Sequence, residues 1–121
     1  MPAARVVIAE DDPDLGHLLS RQLERAGYEV SLATDHDEAL ALASALSPAV
    51  LLLDYNLPGG GAALHARLRR MPASAQTPIL FLTAITREEL ARGVVLDEKT
   101  FYLAKPCRGE QLLAAVAQAL G

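Results

Sequence analysis

Several short apolar segments of the sequence run directly into residues that could do chemistry. The polar residues that follow these segments are, in chain order, Glu10 and Asp11, Asp54, Thr83, and Lys105. Asp54 has the clearest setting, because the apolar run Ala49–Leu53 ends in it and a turn signal containing Gly59–Gly61 follows. Such a run is typical of a strand that is buried on both faces. A carboxylate at the end of that strand either caps the next loop or forms the centre of a site.

These carboxylates, with a hydroxyl and an ammonium, would form one site if their segments were parallel strands, whose carboxyl ends share one edge of the sheet. Crowded carboxylates raise one another's pKa, and a divalent cation relieves their repulsion. Oxygen ligands at an open edge favour Mg²⁺, which keeps waters and binds through one or two carboxylates. The set suits phosphoryl transfer, with Asp54 as the nucleophile that forms an aspartyl phosphate. The metal and Lys105 would offset the charge on the phosphoryl group.

The pattern of apolar residues predicts five strands that alternate with five helices. Asp12 is a good N-cap because Pro13 follows it, and Gly27 ends that helix. Thr86 and Glu89 form a capping-box motif. The predicted strands are Arg5–Ala9, Glu29–Ala33, Ala49–Asp54, Ile79–Leu82 and Phe101–Ala104. The predicted helices are Pro13–Ala26, Asp37–Leu46, Ala62–Arg70, Thr86 to Val95 or Leu96, and Gly109–Leu120.

This alternation predicts an α/β fold, a doubly wound five-stranded parallel sheet with helices on both faces and right-handed crossovers. The second strand is the least apolar, so we expect it at an edge. That suits the flavodoxin-like strand order 2-1-3-4-5, whose switch point falls between the first and third strands. The three acids would meet there. The 121 residues are expected to form one domain, residues 1–121.

The composition narrows the classes of function. The chain is 51% hydrophobic and 21% charged, as expected of a folded domain. No apolar run approaches the length of about 18 residues that a membrane span requires. The net charge of −4 argues against nucleic acid as a direct partner. The single cysteine, Cys107, excludes an internal disulfide and fits a reducing compartment, so we expect a cytoplasmic protein.

The polar set resembles the receiver domain of two-component response regulators, and the resemblance covers the whole chain. The motifs that carry it are Glu10-Asp11, Asp54, Thr83-Ala84 and Lys105-Pro106, each at the end of its strand. The resemblance implies a fold like that of the chemotaxis regulators. It also implies that Asp54 accepts a phosphoryl group from a histidine kinase or a histidine phosphotransfer protein. Such a domain catalyses only its own phosphorylation and hydrolysis and is not a metabolic enzyme.

The resemblance assigns further roles in the site. Asp11, Asp54 and the backbone carbonyl of Asn56 would bind Mg²⁺, and Glu10 would assist through water. Lys105 would contact the phosphoryl group.

The switch and the partner surface are also implied by the resemblance. Thr83 would move to hydrogen-bond the phosphoryl group, and Tyr102 would follow as the switch aromatic. Pro106 resembles the family's cis proline, which would aim Lys105 inward. The protein would be a monomer or a weak phosphorylation-dependent dimer, with an output that the sequence does not name. The implied kinase-facing residues are Pro13, Asp14, His17, Leu18, Arg21, Pro106 and Cys107.

Four features depart from the family pattern. The segment Val95–Thr100 lacks the usual glycine turn before the fifth strand, and Gly60–Gly61 stand where Asp-Gly is common. Cys107 replaces an aromatic residue, and Arg108 replaces the usual cap of the last helix. These features affect the surface of the fourth and fifth helices, through which this family usually signals.

The remaining histidines and arginines are interpreted as surface residues. The histidines are His17, His36 and His65, and the arginines that would form a solvated helix face are Arg67, Arg69 and Arg70.

Two other functions stay open. A phosphatase of the haloacid dehalogenase type also uses an Asp nucleophile and Mg²⁺, but it needs a second Asp where this chain has Asn56. A receiver-like scaffold that acts without phosphorylation would fit the unusual segment Val95–Thr100.

Overall fold

The computed structural model describes residues 3–121, in which five strands alternate with five helices. The first two residues of the predicted domain lie outside this range. The strands are β1 (Arg5–Ala9), β2 (Glu29–Ala33), β3 (Val50–Leu53), β4 (Ile79–Thr83) and β5 (Thr100–Ala104). The helices are α1 (Pro13–Arg25), α2 (His36–Leu46), α3 (Gly61–Arg70), α4 (Arg87–Gly93) and α5 (Gly109–Leu120).

The strands form one parallel sheet in the order β2-β1-β3-β4-β5, which confirms the predicted fold class. β2 lies at an edge and is mostly half-buried, whereas every residue of β3 and β4 is buried. β1 and β3 run side by side, with Ala9 in register with Leu53. The carboxyl ends of these two strands therefore form the switch-point crevice.

Successive residues of the central strands point to opposite faces of the sheet, so two hydrophobic clusters form. One face of the sheet, with Leu51 and Phe81, packs against α2, α3 and α4. The other face, with Leu52 and Leu80, packs against α1 and α5. This division places helices on both faces of the sheet, as predicted.

Local capping explains where two of the helices begin. The Asp12 carboxylate accepts hydrogen bonds from the backbone N–H groups of Asp14 and Leu15 at the start of α1. At α4, the Thr86 hydroxyl accepts from the Glu89 N–H, and the Glu89 carboxylate accepts from the Thr86 N–H, both at 3.1 Å. The cap of α1 and the capping box of α4 were both predicted from the sequence.

The main difference from the predicted elements is the end of α4. The helix ends at Gly93, whereas the sequence pattern extended it to Val95 or Leu96. Val94 is already extended, with φ −132° and ψ 135°. Asp97, four residues beyond Gly93, is held by the guanidinium of Arg69 in α3. The other predicted element ends agree with the structure within one residue.

The prediction that Arg69 lies on a solvated helix face is wrong. Its guanidinium donates to the Asp97 carboxylate at 2.8 and 3.3 Å. It also donates to the backbone carbonyls of Ser74, Thr77 and Lys99. Arg69 therefore ties α3 to the loop before β4 and to the segment before β5. The neighbouring arginines that are exposed, as predicted, are Arg67 and Arg70.

Two of the three histidines are buried, so their interpretation as surface residues is also wrong. His65 is 3% exposed, and its Nε2 lies 2.9 Å from the Thr100 hydroxyl. Burial, aided by the positive charge of Arg69, lowers the pKa of His65 below its ordinary value. His36 is 7% exposed and packs against Gly59, whereas His17 is exposed. Both buried histidines lie on helices, where their spacing gave no sign of the strands and loops that cover them.

Within residues 3–121, none of the helices combines the length and the apolar character that a membrane span requires.

Candidate functional site

The candidate site lies in the crevice where β1 and β3 end. The Asp54 N–H donates to the Ala9 carbonyl at 3.1 Å, which continues the parallel pairing past the last residue of β3. Glu10 is fixed in the same way from β2, because its N–H donates to the Ala33 carbonyl at 2.9 Å. The sheet thus sets the positions of both acids through their backbones.

Three carboxylates converge in this crevice. Glu10, Asp11 and Asp54 each offer an oxygen, and these oxygens lie within 4.8 Å of one another. Glu10 and Asp54 are buried, whereas Asp11 is exposed, so the cluster opens to solvent on one side. An all-oxygen set with an open side suits Mg²⁺, which binds few carboxylates and keeps waters. The residues present therefore fit the metal that the sequence implied.

Lys105 reaches the cluster from the end of β5. Its Nζ lies 2.6 Å from Oε1 of Glu10 and 3.3 Å from Oδ2 of Asp54. Burial alone would lower the pKa of Lys105, but the hydrogen bond to Glu10 and the charge of Asp54 outweigh it and raise the pKa. The ammonium therefore stays charged beside both acids. The Lys105–Pro106 peptide bond is cis, as the resemblance implied.

The pKa of Glu10 is raised because burial disfavours its charged form. The Lys105 ammonium and the Asp12 N–H, which donates to Oε2 at 3.2 Å, oppose this effect. The nearby charge of Asp54 adds to it. Glu10 is therefore a buried acid whose negative charge depends on its neighbours.

Asn56 lies beside the cluster through its backbone. Its N–H donates to Oδ1 of Asp54 at 3.2 Å, and its side chain is exposed. One oxygen of Asp54 is thus held by the loop, and the other faces Lys105.

Thr83 and Tyr102 lie on the adjacent strands and do not bond to the acids. Thr83 ends β4, is fully buried, and accepts a long 3.5 Å hydrogen bond from the Ile85 N–H. Tyr102 is half-buried, and its hydroxyl donates to the Ile85 carbonyl at 2.6 Å. Both side chains therefore contact the loop that leads into α4.

The kinase-facing residues implied by the resemblance are all at the surface. Those exposed are Pro13, Asp14, His17, Leu18, Arg21 and Pro106, and Cys107 is half-buried. A largely apolar groove of about 260 Å³ lies between α1 and the loop after β5. Leu15 and Leu18 line one wall of this groove, and Pro106 and Cys107 line the other.

Sequence reasoning missed the role of Gly61, which it treated as part of a turn signal. A Cβ atom at this position would lie 2.6 Å from the Asp54 carbonyl oxygen and 2.7 Å from the Tyr55 Cα. Glycine therefore lets the start of α3 pack directly under the loop that carries Asp54. Three consecutive glycines after an acid were the available signal for such a close approach.

Comparisons with known proteins agree with this geometry. A family model described as a response regulator receiver domain matches residues 6–117. The DNA-binding dual master transcriptional regulator RpaA of Synechocystis sp. is 39% identical over 114 residues, which are 93% of this chain and 47% of that protein. The chain spans about half the length of the first curated relatives that it matches.

Solved structures match over nearly the whole chain. The chemotaxis response regulator CheY4 of Vibrio cholerae is 32% identical with a TM-score of 0.89, covering 97% of this chain and 98% of that one. A putative response regulator from Chloroflexus aurantiacus is 33% identical with a TM-score of 0.88, covering 98% of both chains. The chain therefore belongs to the response regulator receiver domains of two-component signal transduction.

Proposed function

We propose that this domain is a switch in which Asp54 accepts a phosphoryl group from a phosphohistidine of a histidine kinase or a histidine phosphotransfer protein. One observation carries the proposal: the buried Asp54 has one oxygen held by the Asn56 N–H and the other 3.3 Å from the Lys105 ammonium. An acid held in this way is a positioned nucleophile beside a cation that can offset phosphoryl charge.

The transfer exchanges one bond for another. An Asp54 oxygen attacks the phosphorus atom, a P–O bond forms, and the P–N bond of the phosphohistidine breaks with its electron pair left on the imidazole nitrogen. Water later cleaves the acyl phosphate, which returns the carboxylate and releases inorganic phosphate. The domain turns over only its own phosphoryl group, so we propose that it is not a metabolic enzyme.

Asp11, Asp54 and the backbone carbonyl of Asn56 would hold Mg²⁺, with Glu10 assisting through water. When bound, the metal supplies positive charge against the phosphoryl oxygens. The chain's own contribution is to keep Lys105 charged and fixed, since Glu10 holds it at 2.6 Å. Lys105 would then contact the phosphoryl group without a change in its charge.

Thr83 and Tyr102 would carry the signal away from Asp54. Thr83 bonds only weakly to the Ile85 N–H, at 3.5 Å, so its hydroxyl is available to a phosphoryl oxygen. Tyr102 bonds to the carbonyl of the same residue. A movement of Thr83 would shift this loop and favour one of two arrangements of the surface around α4.

The partner surface would be the exposed part of α1 together with Pro106. Leu18 is 54% exposed beside the apolar groove, and Arg21 and Asp14 flank it with charges. A helix of the kinase or phosphotransfer protein would dock there, with its phosphohistidine facing Asp54. We propose a cytoplasmic domain without a direct membrane or nucleic-acid partner, which is a monomer or forms a weak dimer when phosphorylated.

The test is incubation with MgCl₂ and acetyl phosphate, followed by intact mass measurement, beside a parallel assay with p-nitrophenyl phosphate. We expect one phosphoryl group per chain and no sustained hydrolysis of the phosphomonoester. Sustained hydrolysis would favour the phosphatase. Absence of any phosphoryl uptake would contradict the proposal and favour the scaffold.

A further inference from the structure

Tyrosine side chains contact both ends of α4. At the amino end, Tyr102 donates its hydroxyl to the Ile85 carbonyl. At the carboxyl end, the Tyr55 hydroxyl lies beside Gly93. A Cβ atom at Gly93 would lie 2.8 Å from Oη of Tyr55 and 3.7 Å from its Cε2 and Cζ. The Tyr55 hydroxyl therefore occupies the space that a side chain at Gly93 would need, whereas the ring carbons lie at ordinary van der Waals distance.

The absence of a side chain at Gly93 is explained by this contact better than by helix termination. Glycine commonly ends helices because it adopts a left-handed conformation. Gly93 does not have a positive φ, and it is the last residue of α4. Alanine would be the better helix former there. The space taken by Tyr55 is the feature that disfavours it.

Tyr55 is held firmly on its own side of the contact. Its carbonyl accepts from the Gly61 N–H at 3.0 Å, and its Cα packs against Gly61 closely enough to exclude a Cβ atom. The ring is half-buried and packs on the hydrophobic cluster that contains Leu90 of α4. A rigid ring on a fixed backbone transmits a small displacement of its loop to the residue that it touches.

Tyr55 also adjoins the reacting group. It lies between Asp54 and Asn56 in the chain. The Asn56 N–H donates to the Asp54 carboxylate at 3.2 Å, so this hydrogen bond spans Tyr55. Conversion of the carboxylate to an acyl phosphate changes the charge and the oxygens available to that N–H. The hydrogen bond that spans Tyr55 therefore depends on the chemical state of Asp54.

We propose that Tyr55 is a positioning residue that couples the state of Asp54 to the carboxyl end of α4 through its contact with Gly93. This inference rests on the proposed function, since the change of state is phosphorylation. It gives α4 a second connection to the site, independent of Thr83 and Tyr102. The segment after Gly93 is anchored in turn by the Arg69–Asp97 pair, so movement at this end is confined to a few residues.

The experiment compares hydrogen exchange of the α4 amides before and after treatment with MgCl₂ and acetyl phosphate, with phosphoryl content measured by mass in each sample. The variants are Y55A, Y55F, G93A and Y55F/G93A. The matched control is Y28A, because Tyr28 is also half-buried but packs on the cluster at the opposite face of the sheet. Y28A and Y55A should both lower the thermal midpoint through lost packing.

We expect phosphorylation to change exchange at the carboxyl end of α4 in the wild type and Y28A. This change should be weaker in Y55F, which lacks the hydroxyl nearest Gly93, and lost in Y55A. G93A should displace the ring and weaken the response, and Y55F/G93A should restore it because the clashing hydroxyl is gone. Phosphorylated Y55A that keeps the full response, or phosphorylated Y28A that loses it equally, would overturn the proposal. So would an absent response in fully phosphorylated wild type.

The thermal midpoints of the unphosphorylated proteins test the contact separately, and this comparison stands even if Y55A does not fold. G93A should lower the midpoint relative to the wild type, and Y55F/G93A should raise it above that of G93A. A thermal midpoint of G93A at or above that of the wild type would contradict the close contact between Tyr55 and Gly93. No phosphoryl uptake by the wild type would overturn the proposed function, and the coupling with it, but not the contact.

Discussion

The ammonium of Lys105 lies 2.6 Å from the carboxylate of Glu10, although 95 positions separate the two residues in the chain. Its distance to Asp54 is longer, 3.3 Å. Glu10 is 3% exposed, so solvent does little to stabilise its charge. The pair therefore serves both residues, since Lys105 lowers the pKa of Glu10 against the effect of burial, and Glu10 holds Lys105 next to Asp54.

We predict that Lys105→Met slows phosphoryl uptake from acetyl phosphate by about 10²–10³-fold, the usual loss for one electrostatic group directed at transferred charge. Without the ammonium, the pKa of Glu10 should rise further, because the hydrogen bond and charge of Lys105 lower it. Initial rates followed by mass spectrometry would measure the effect. Lys99→Met removes an exposed lysine and is the control. Equal rates for the two variants would contradict a role for Lys105.

We predict that MgCl₂ raises the thermal midpoint of the wild type, because a cation that binds only the folded state stabilises it. The cluster of Glu10, Asp11 and Asp54 is the site expected to bind it. Asp11→Asn removes one ligand charge and should weaken Mg²⁺ binding by at least about tenfold. Thermal scans over a MgCl₂ titration check this, with the exposed substitution Glu98→Gln as control. An unchanged titration in Asp11→Asn would place the metal elsewhere.

Arg69→Ala should lower the free energy of unfolding by about 2–3 kcal/mol. It breaks an ion pair whose arginine is mostly buried and removes one donor from each of three backbone carbonyls. The Ser74 and Lys99 carbonyls keep backbone N–H donors, so the Thr77 carbonyl is the one most affected. Arg67→Ala, at an exposed position on the same helix, should change it by less than about 0.5 kcal/mol. Urea unfolding would measure both. Similar free energies of unfolding for the two variants would indicate that Arg69 lies on the solvated face that the sequence suggested.

Stability should depend on pH through His65. Its pKa is lowered in the folded state, so the unfolded chain binds a proton more readily. The contribution of neutral His65 is complete above the ordinary value of 6.5 and is lost as the pH falls through the lowered folded pKa. Arg69, Asp97 and Thr100 are the polar groups around it.

The free energy of unfolding of the wild type should therefore fall below pH 6.5 more steeply than that of His65→Gln. The difference between the two proteins isolates this residue from the other titrating groups. Parallel curves would show that His65 does not contribute.

Four of the five strand ends could be predicted from the sequence because the apolar run stops at a polar residue of the candidate site. The caps of α1 and α4 were equally local, since Asp12 and Thr86 bond to residues two or three positions away. The end of α4 could not be predicted from periodicity, which extended the helix to Val95 or Leu96. The segment beyond Gly93 is held by a pair between Arg69 and Asp97, 28 positions apart, which no periodic pattern reveals.

The burial of His65 and the contact between Tyr55 and Gly93 also depend on residues that are far apart in the chain. A histidine on a helix and an aromatic residue in a loop gave no indication of what covers them until the sheet order brought α3, α4 and the β3–α3 loop together. The positions of the acids were easier to predict, because strand order alone brings Asp54 beside Glu10.

The central claim is that Asp54 is the phosphoacceptor, and the mass of the phosphorylated protein tests it most directly. With MgCl₂ and acetyl phosphate, the wild type should gain one phosphoryl group and Asp54→Asn should gain none. Asp12→Asn is the matched control, since asparagine caps a helix as well as aspartate; it should be phosphorylated like the wild type. Phosphoryl uptake by Asp54→Asn equal to that of the wild type would contradict the account.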